Sequence, residues 1–127
     1  MTAVFRTPPI EPTPDGMVFL CHLDDLTDGE SKGFDPEGSG RDTMFIVRKG
    51  ARLFAWRNAC PHQRGARMGW KKDAFLNGDK SRIMCFAHGA LFDIQTGLCD
   101  IGPCIGKHLS PVHISQKSGR VFCAVAK

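Results

Sequence analysis

The chain is 127 residues long, 42% apolar, with a formal charge of +4. That length suits one domain with a core of its own and leaves no room for a second. The composition excludes collagen-like, coiled-coil and disordered chains. The longest apolar run, Val121 to Ala126, falls far short of the roughly twenty residues of a membrane-crossing helix.

The charge excess, 17 Lys and Arg over 13 Asp and Glu, is too mild and too scattered to predict nucleic-acid binding. Residues 1–16 carry prolines at positions 8, 9, 12 and 14, so an extended arm is expected there, not a signal peptide. Residues 17–127 form the expected domain. Six cysteines are too few for a disulfide scaffold; in a reducing compartment they stand as thiols or metal ligands. The expected location is the cytoplasm, with neither membrane nor nucleic acid as a partner.

In chain order, Met17 to Cys21 reads as a first strand, and Leu23 to Leu26 as a turn leading away from it. Residues 27–42 hold four glycines and a proline and read as a turn-rich connection. TMFIVR (43–48) and ARLFAWRN (51–58), joined across Lys49-Gly50, carry a strong hairpin signal. Phe45, Phe54 and Trp56 are core candidates within that hairpin. Ile83 to Cys85, Leu91 to Ile94, Pro111 to Ser115 and RVFCAVA (120–126) are further short strands. No long helical period appears, and the fold class is all-β, a sandwich or barrel.

Two segments carry metal-ligand chemistry. Cys60-Pro61-His62 is a C-x-H pair after a strand, and Cys85-Phe86-Ala87-His88-Gly89 is a C-x-x-H pair with a glycine behind it. Facing each other, two such loops supply two thiolates and two imidazoles, which suit zinc or an iron–sulfur centre. Structural zinc sites pair Cys with Cys and His with His along the chain, whereas each loop here is mixed. Mixed loops suit two metals, one taking both thiolates and the other both imidazoles.

At these residues the chain resembles the Rieske [2Fe–2S] family. The resemblance rests on Cys60-Pro61-His62, on CFAHGALFDIQTG (85–97) and on Gly102-Pro103. It implies an antiparallel β-sandwich or barrel with a small cluster-binding subdomain of two loops, spanning about 58–106. It also implies one [2Fe–2S] cluster per chain, with Cys60 and Cys85 on one iron and His62 and His88 on the other. Gly89, Ala90 and Phe92 would pack around the ligands, with Gly102 and Pro103 as the covering loop. Two departures stand out. Residues 63–84 make a long insertion between His62 and Cys85, so WKKDAFLNGDKS is expected as a surface excursion, and the first loop's apolar residue, Met68, comes one place late.

The function implied is that of a soluble Rieske-type ferredoxin carrying single electrons from a reductase to a terminal, ring-hydroxylating oxygenase. Such a chain is an electron-transfer component and has no catalytic residue of its own. A small Rieske subunit of another complex, such as a nitrite-reductase-type assembly, and a zinc-stabilised binding module are the alternatives. High-potential relatives add a disulfide between the loops and Ser and Tyr hydroxyls on the sulfurs. Here the corresponding places hold Gly65 or its neighbours, Ala87, Ala90 and Phe92, and the chain has no Tyr. Fewer donors imply the low end of the roughly −150 to +300 mV span of such centres.

The remaining candidates have plainer readings. Cys21, Cys99, Cys104 and Cys123 are expected as buried thiols acting as small hydrophobes, Cys104 being notable for its place beside Gly102-Pro103. His22 is expected to be structural, and His108 and His113 to lie on the surface, because Pro111 and a strand pattern argue against an iron site there. Arg64, Arg67, Lys71 and Lys72 would make the tip of the first loop basic and steer an acidic partner, with Leu91 and Pro103 as an apolar rim.

Overall fold

A computed structural model describes residues 16–61, 68–69, 72–86 and 89–124. Among these, nine strands occur in chain order: β1 (Met17–His22), β2 (Ser31–Phe34), β3 (Met44–Lys49), β4 (Arg52–Arg57), β5 (Ile83–Cys85), β6 (Ala90–Phe92), β7 (Cys99–Ile101), β8 (Ile114–Lys117) and β9 (Arg120–Ala124). A single 3-10 turn, Leu23–Asp25, follows β1. The strands form three antiparallel three-stranded sheets, ordered β1-β9-β8, β2-β3-β4 and β5-β6-β7. The all-β expectation holds. No helix among the described residues is long and apolar enough to cross a membrane.

The hairpin of β3 and β4 is the centre of the molecule, and its sequence says why. Met44-Phe45-Ile46-Val47 is a continuous apolar run, and all four residues are buried. A run without alternation suits a strand covered on both faces. Met44 and Ile46, with Ala55, pack into one core alongside Cys21, Leu26, Val121 and Cys123. Phe45 and Val47, with Trp56, enter a second core containing Ile83, Cys85, Ala90, Phe92 and Cys99. The register agrees, setting Phe45 opposite Trp56 and Ile46 opposite Ala55. Each such side chain contributes about 1.5–3 kcal/mol when fully buried.

The structure corrects the reading of two segments. Residues 27–42 are more than a connection, because Ser31–Phe34 pairs with β3. Gly33 makes this possible: a Cβ there would stand 2.3 Å from Asp42 Oδ2. WKKDAFLNGDKS is a surface excursion only in part: Gly78 to Ser81 are exposed, as expected, but the middle of the segment is anchored in the core. Phe75 is buried and stacks on Phe45 at 4.3 Å and 7°, and Leu76 bridges to Ile83. Ser31 Oγ donates to Asp73 O at 2.7 Å, the Gly33 N–H donates to Asp73 Oδ1 at 2.8 Å, and the Phe75 N–H donates to Ser31 Oγ at 3.2 Å. The segment is sewn into β2 and contributes to the second core. The expected arm lies outside the described residues except for Gly16.

Candidate metal centre

The second core opens onto the two loops singled out by the sequence. Cys60 follows β4 and Cys85 ends β5, and both are buried in the same apolar core with Met68, Ala90, Phe92, Cys99 and Cys104. His62 and His88 lie outside the described residues, as do Arg64, Gly65, Arg67, Lys71 and Ala87.

Backbone hydrogen bonds set the loops. Asn58 Oδ1 accepts the Met68 N–H at 2.8 Å, and Asn58 Nδ2 donates to Asp42 O at 2.9 Å. The Phe86 N–H donates to Met68 O at 2.9 Å, so one peptide segment joins the end of the first loop to the start of the second. The Gly89 N–H returns to Cys85 O at 2.7 Å, a tight turn closed by a residue at φ +72°, where glycine is favoured. Gly102 packs so closely on β6 that a Cβ would stand 2.7 Å from Ala90 Cα. Pro103 beside it is exposed.

Ala90 and Phe92 are fully buried in this core and bring no hydroxyl. The same core holds a thiol pair that the sequence reasoning missed. Cys104 Sγ lies 3.2 Å from Cys99 Sγ, and Cys99 Sγ donates to Ile101 O at 3.3 Å. Burial first, then its hydrogen bond with Cys99, pushes the Cys104 thiol up to about 12. Cys99 and Cys104 are therefore a hydrogen-bonded pair, not merely small hydrophobes. Asn58 and Met68 were missed as well; an Asn directly after a strand, able to cap a loop with its side chain, was the available signal.

Cys21 and Cys123 are buried in the other core. Burial, then the Asp25 charge, raises Cys21 to about 11, and burial likewise raises Cys123. Both are buried thiols, as expected. His22, His108 and His113 are exposed, and the backbone N–H of His22 donates to Asp25 Oδ2 at 2.9 Å in the turn after β1. Lys72 is not a free charge at the tip: its Nζ lies 2.8 Å from Asp42 Oδ2 and 3.4 Å from Asp73 Oδ1. Asp42 chiefly, as hydrogen-bond acceptor, raises the Lys72 pKa.

Two buried thiols at the mouths of adjoining loops, each followed within three residues by an imidazole in the sequence, fit an iron–sulfur cluster. Thiolates in an apolar core would need a cation beside them, and Gly102 lets its loop approach β6 closely.

Comparison with known proteins agrees. The ferredoxin of carbazole 1,9a-dioxygenase from Nocardioides aromaticivorans IC177 superposes with a TM-score of 0.67 at 24% identity, over 87% of this chain and 98% of that one. The Sphingomonas yanoikuyae B1 ferredoxin gives a TM-score of 0.63 at 22% identity, over 86% and 98%. The terminal oxygenase of carbazole 1,9a-dioxygenase from Novosphingobium sp. KA1 gives 0.65 at 15% identity, over 89% of this chain but 30% of that one. No curated protein matches in sequence. The family model described as the Rieske [2Fe-2S] domain matches residues 16–123. With this match over nearly its whole length, the chain belongs to the Rieske [2Fe–2S] domain family and carries that family's cluster.

Proposed function

We propose that the chain is a Rieske-type ferredoxin delivering single electrons from a reductase to a terminal oxygenase, with Cys60, His62, Cys85 and His88 as the cluster ligands. The observation that carries this reading is the match to an oxygenase ferredoxin over 98% of its length, with both buried cysteines at the loop mouths. A related solved structure is a complex of reduced oxygenase and oxidized ferredoxin in carbazole 1,9a-dioxygenase.

When bound, the cluster takes up and releases one electron at a time. The chain's own residues hold it, shield it and present it. Cys60 and Cys85 supply thiolates from the dry side of the site, where Ala90 and Phe92 exclude water. His62 and His88 supply neutral imidazoles, which leave less negative charge than a four-thiolate set and so ease reduction. Phe86, Ile101 and Ile105 are 54%, 53% and 68% exposed, and Ile101 and Ile105 flank Gly102-Pro103 in the sequence. Such side chains offer an apolar rim suited to excluding water when a partner docks. Unbridged cysteines suit a reducing compartment, the cytoplasm.

Absorption and EPR spectra of the purified protein, with metal analysis, test the reading. A rhombic Rieske signal on reduction, lost on Cys60→Ser or Cys85→Ser and kept on Cys21→Ser or Cys123→Ser, is the expected result. A colourless protein containing zinc overturns it, as does a cluster that survives Cys85→Ser.

A further inference from the structure

The stretch that carries Cys60 and His62 is tied on both flanks to one residue, Asp42. Before Cys60, Asn58 Nδ2 donates to Asp42 O at 2.9 Å, while Asn58 Oδ1 accepts the Met68 N–H at 2.8 Å. Beyond Met68, Lys72 Nζ donates to Asp42 Oδ2 at 2.8 Å and to Gly33 O at 3.2 Å. The backbone of Asp42 thus holds the start of the stretch and its side chain holds the end.

Gly33 makes room for this arrangement. A Cβ there would stand 2.3 Å from Asp42 Oδ2 and 2.8 Å from Asp42 Cγ, so a side chain on that strand position would drive the carboxylate off Lys72. The Gly33 N–H donates to Asp73 Oδ1 at 2.8 Å, and the same oxygen lies 3.4 Å from Lys72 Nζ. From these bonds we infer that Asp42 is a positioning residue of the centre, clasping both flanks of the first ligand segment so that Cys60 stays in place against iron. The inference deepens the proposed function, since it rests on Cys60 being a ligand.

The physical ground is chain entropy. A segment fixed at both ends explores fewer conformations than one fixed at a single end, and a ligand leaves its metal only when the segment bearing it opens. Asp42→Ala keeps the carbonyl that holds Asn58, so it opens the Lys72 flank alone. The Asp42 side chain is 21% exposed and that of Lys72 64%. An ion pair of such exposure shifts an opening equilibrium by about two- to fivefold, and salt weakens it.

Loss of visible absorbance from the holoprotein in excess iron chelator tests the inference. Asp42→Ala and Lys72→Met should each lose the cluster about two- to fivefold faster than the wild type. The double variant should be no faster than either single one, because both remove the same bond. Lys72→Arg, which keeps the charge, should hold the cluster as the wild type does. The EPR signal of reduced Asp42→Ala should be broader, since a less fixed ligand segment spreads the geometry of the centre. Wild-type rates in the single variants overturn the inference, and so do single effects that multiply in the double variant. Faster loss with an unbroadened signal would mark a general loosening of the fold and overturns it too. Should the variants not fold, the wild type suffices: faster loss as salt rises supports the clasp, and a rate independent of salt overturns it. A wild type without a Rieske spectrum overturns the ligand assignment and this inference together. A Rieske spectrum with unmoved rates overturns this inference alone.

Discussion

The side-chain oxygen of Asn58 accepts the backbone N–H of Met68 at 2.8 Å, ten residues further on. The bond closes the first loop of the candidate centre at its base, before the chain turns back to meet Phe86. Asn58→Ala removes this acceptor and the donor to Asp42 O. Both partners are partly buried, so the expected loss is about 1–3 kcal/mol, read by urea denaturation. The same variant should lose its visible absorbance faster than wild type on dilution into chelator. Equal rates would mean that the base of the loop does not hold the centre together.

The loop proposed to cover the centre has its own test. Gly102 sits at φ +111° with Ala90 Cα 2.7 Å from where a Cβ would be, whereas Gly106 sits at φ +92° with nothing within 4 Å. Gly106→Ala should cost only the backbone strain, about 1–3 kcal/mol. Gly102→Ala should cost more, because β6 cannot give way without disturbing Phe92. Thermal melts of the two variants, side by side, check the order.

Acid should weaken the turn after β6. The Thr96 N–H foremost, with that of Gln95, holds the Asp93 carboxyl below its ordinary value; both donate to Oδ1, at 2.9 and 2.8 Å. A folded pKa below the unfolded one gives stability that is present above the unfolded pKa, about 3.9, and is lost as pH falls through the folded value. Asp93→Ala should therefore be less stable than wild type at neutral pH, by about 1–2 kcal/mol. That gap should shrink as pH falls below about 4. A gap that stays constant down to the acid limit would remove the carboxylate from the account.

The apolar rim predicts a kinetic phenotype without a spectroscopic one. Ile105→Ser should leave EPR and absorbance unchanged and raise the KM for ferredoxin in oxygenase turnover. Loss of one well-packed side chain at a docking surface gives up to about tenfold, or 1.4 kcal/mol. An unchanged KM places Ile105 outside the interface.

The hairpin and the ligand motifs were legible in the sequence because each is a local pattern. Met44 to Val47 shows its double burial as an unbroken apolar run, and the Cys–His pairs sit within three residues of one another. What escaped reading depends on distant partners. Ser31–Phe34 looks like a loop until Asp42 is seen filling the space beside Gly33. Phe75 looks like part of an insertion until it stacks on Phe45, thirty residues earlier. Cys99 and Cys104 have no recognisable spacing; only the turn closed by Gly106 and Lys107 brings their sulfurs together. The ligand roles of His62 and His88 rest on the motif, since both lie outside the described residues.

The double burial of β3 has a consequence for the life of the protein before its cofactor arrives. The core that contains Met44 and Ile46 includes neither Cys60 nor Cys85, so its packing does not depend on iron. Regions with separate cores open separately. In a chain stripped of metal, the amides of β1, β8 and β9 should therefore resist deuterium exchange while those of Phe86 and Gly89 give way. On that expectation the packing around Met44 and Ile46 outlasts loss of the cluster, and iron and sulfide can be restored without refolding the whole chain.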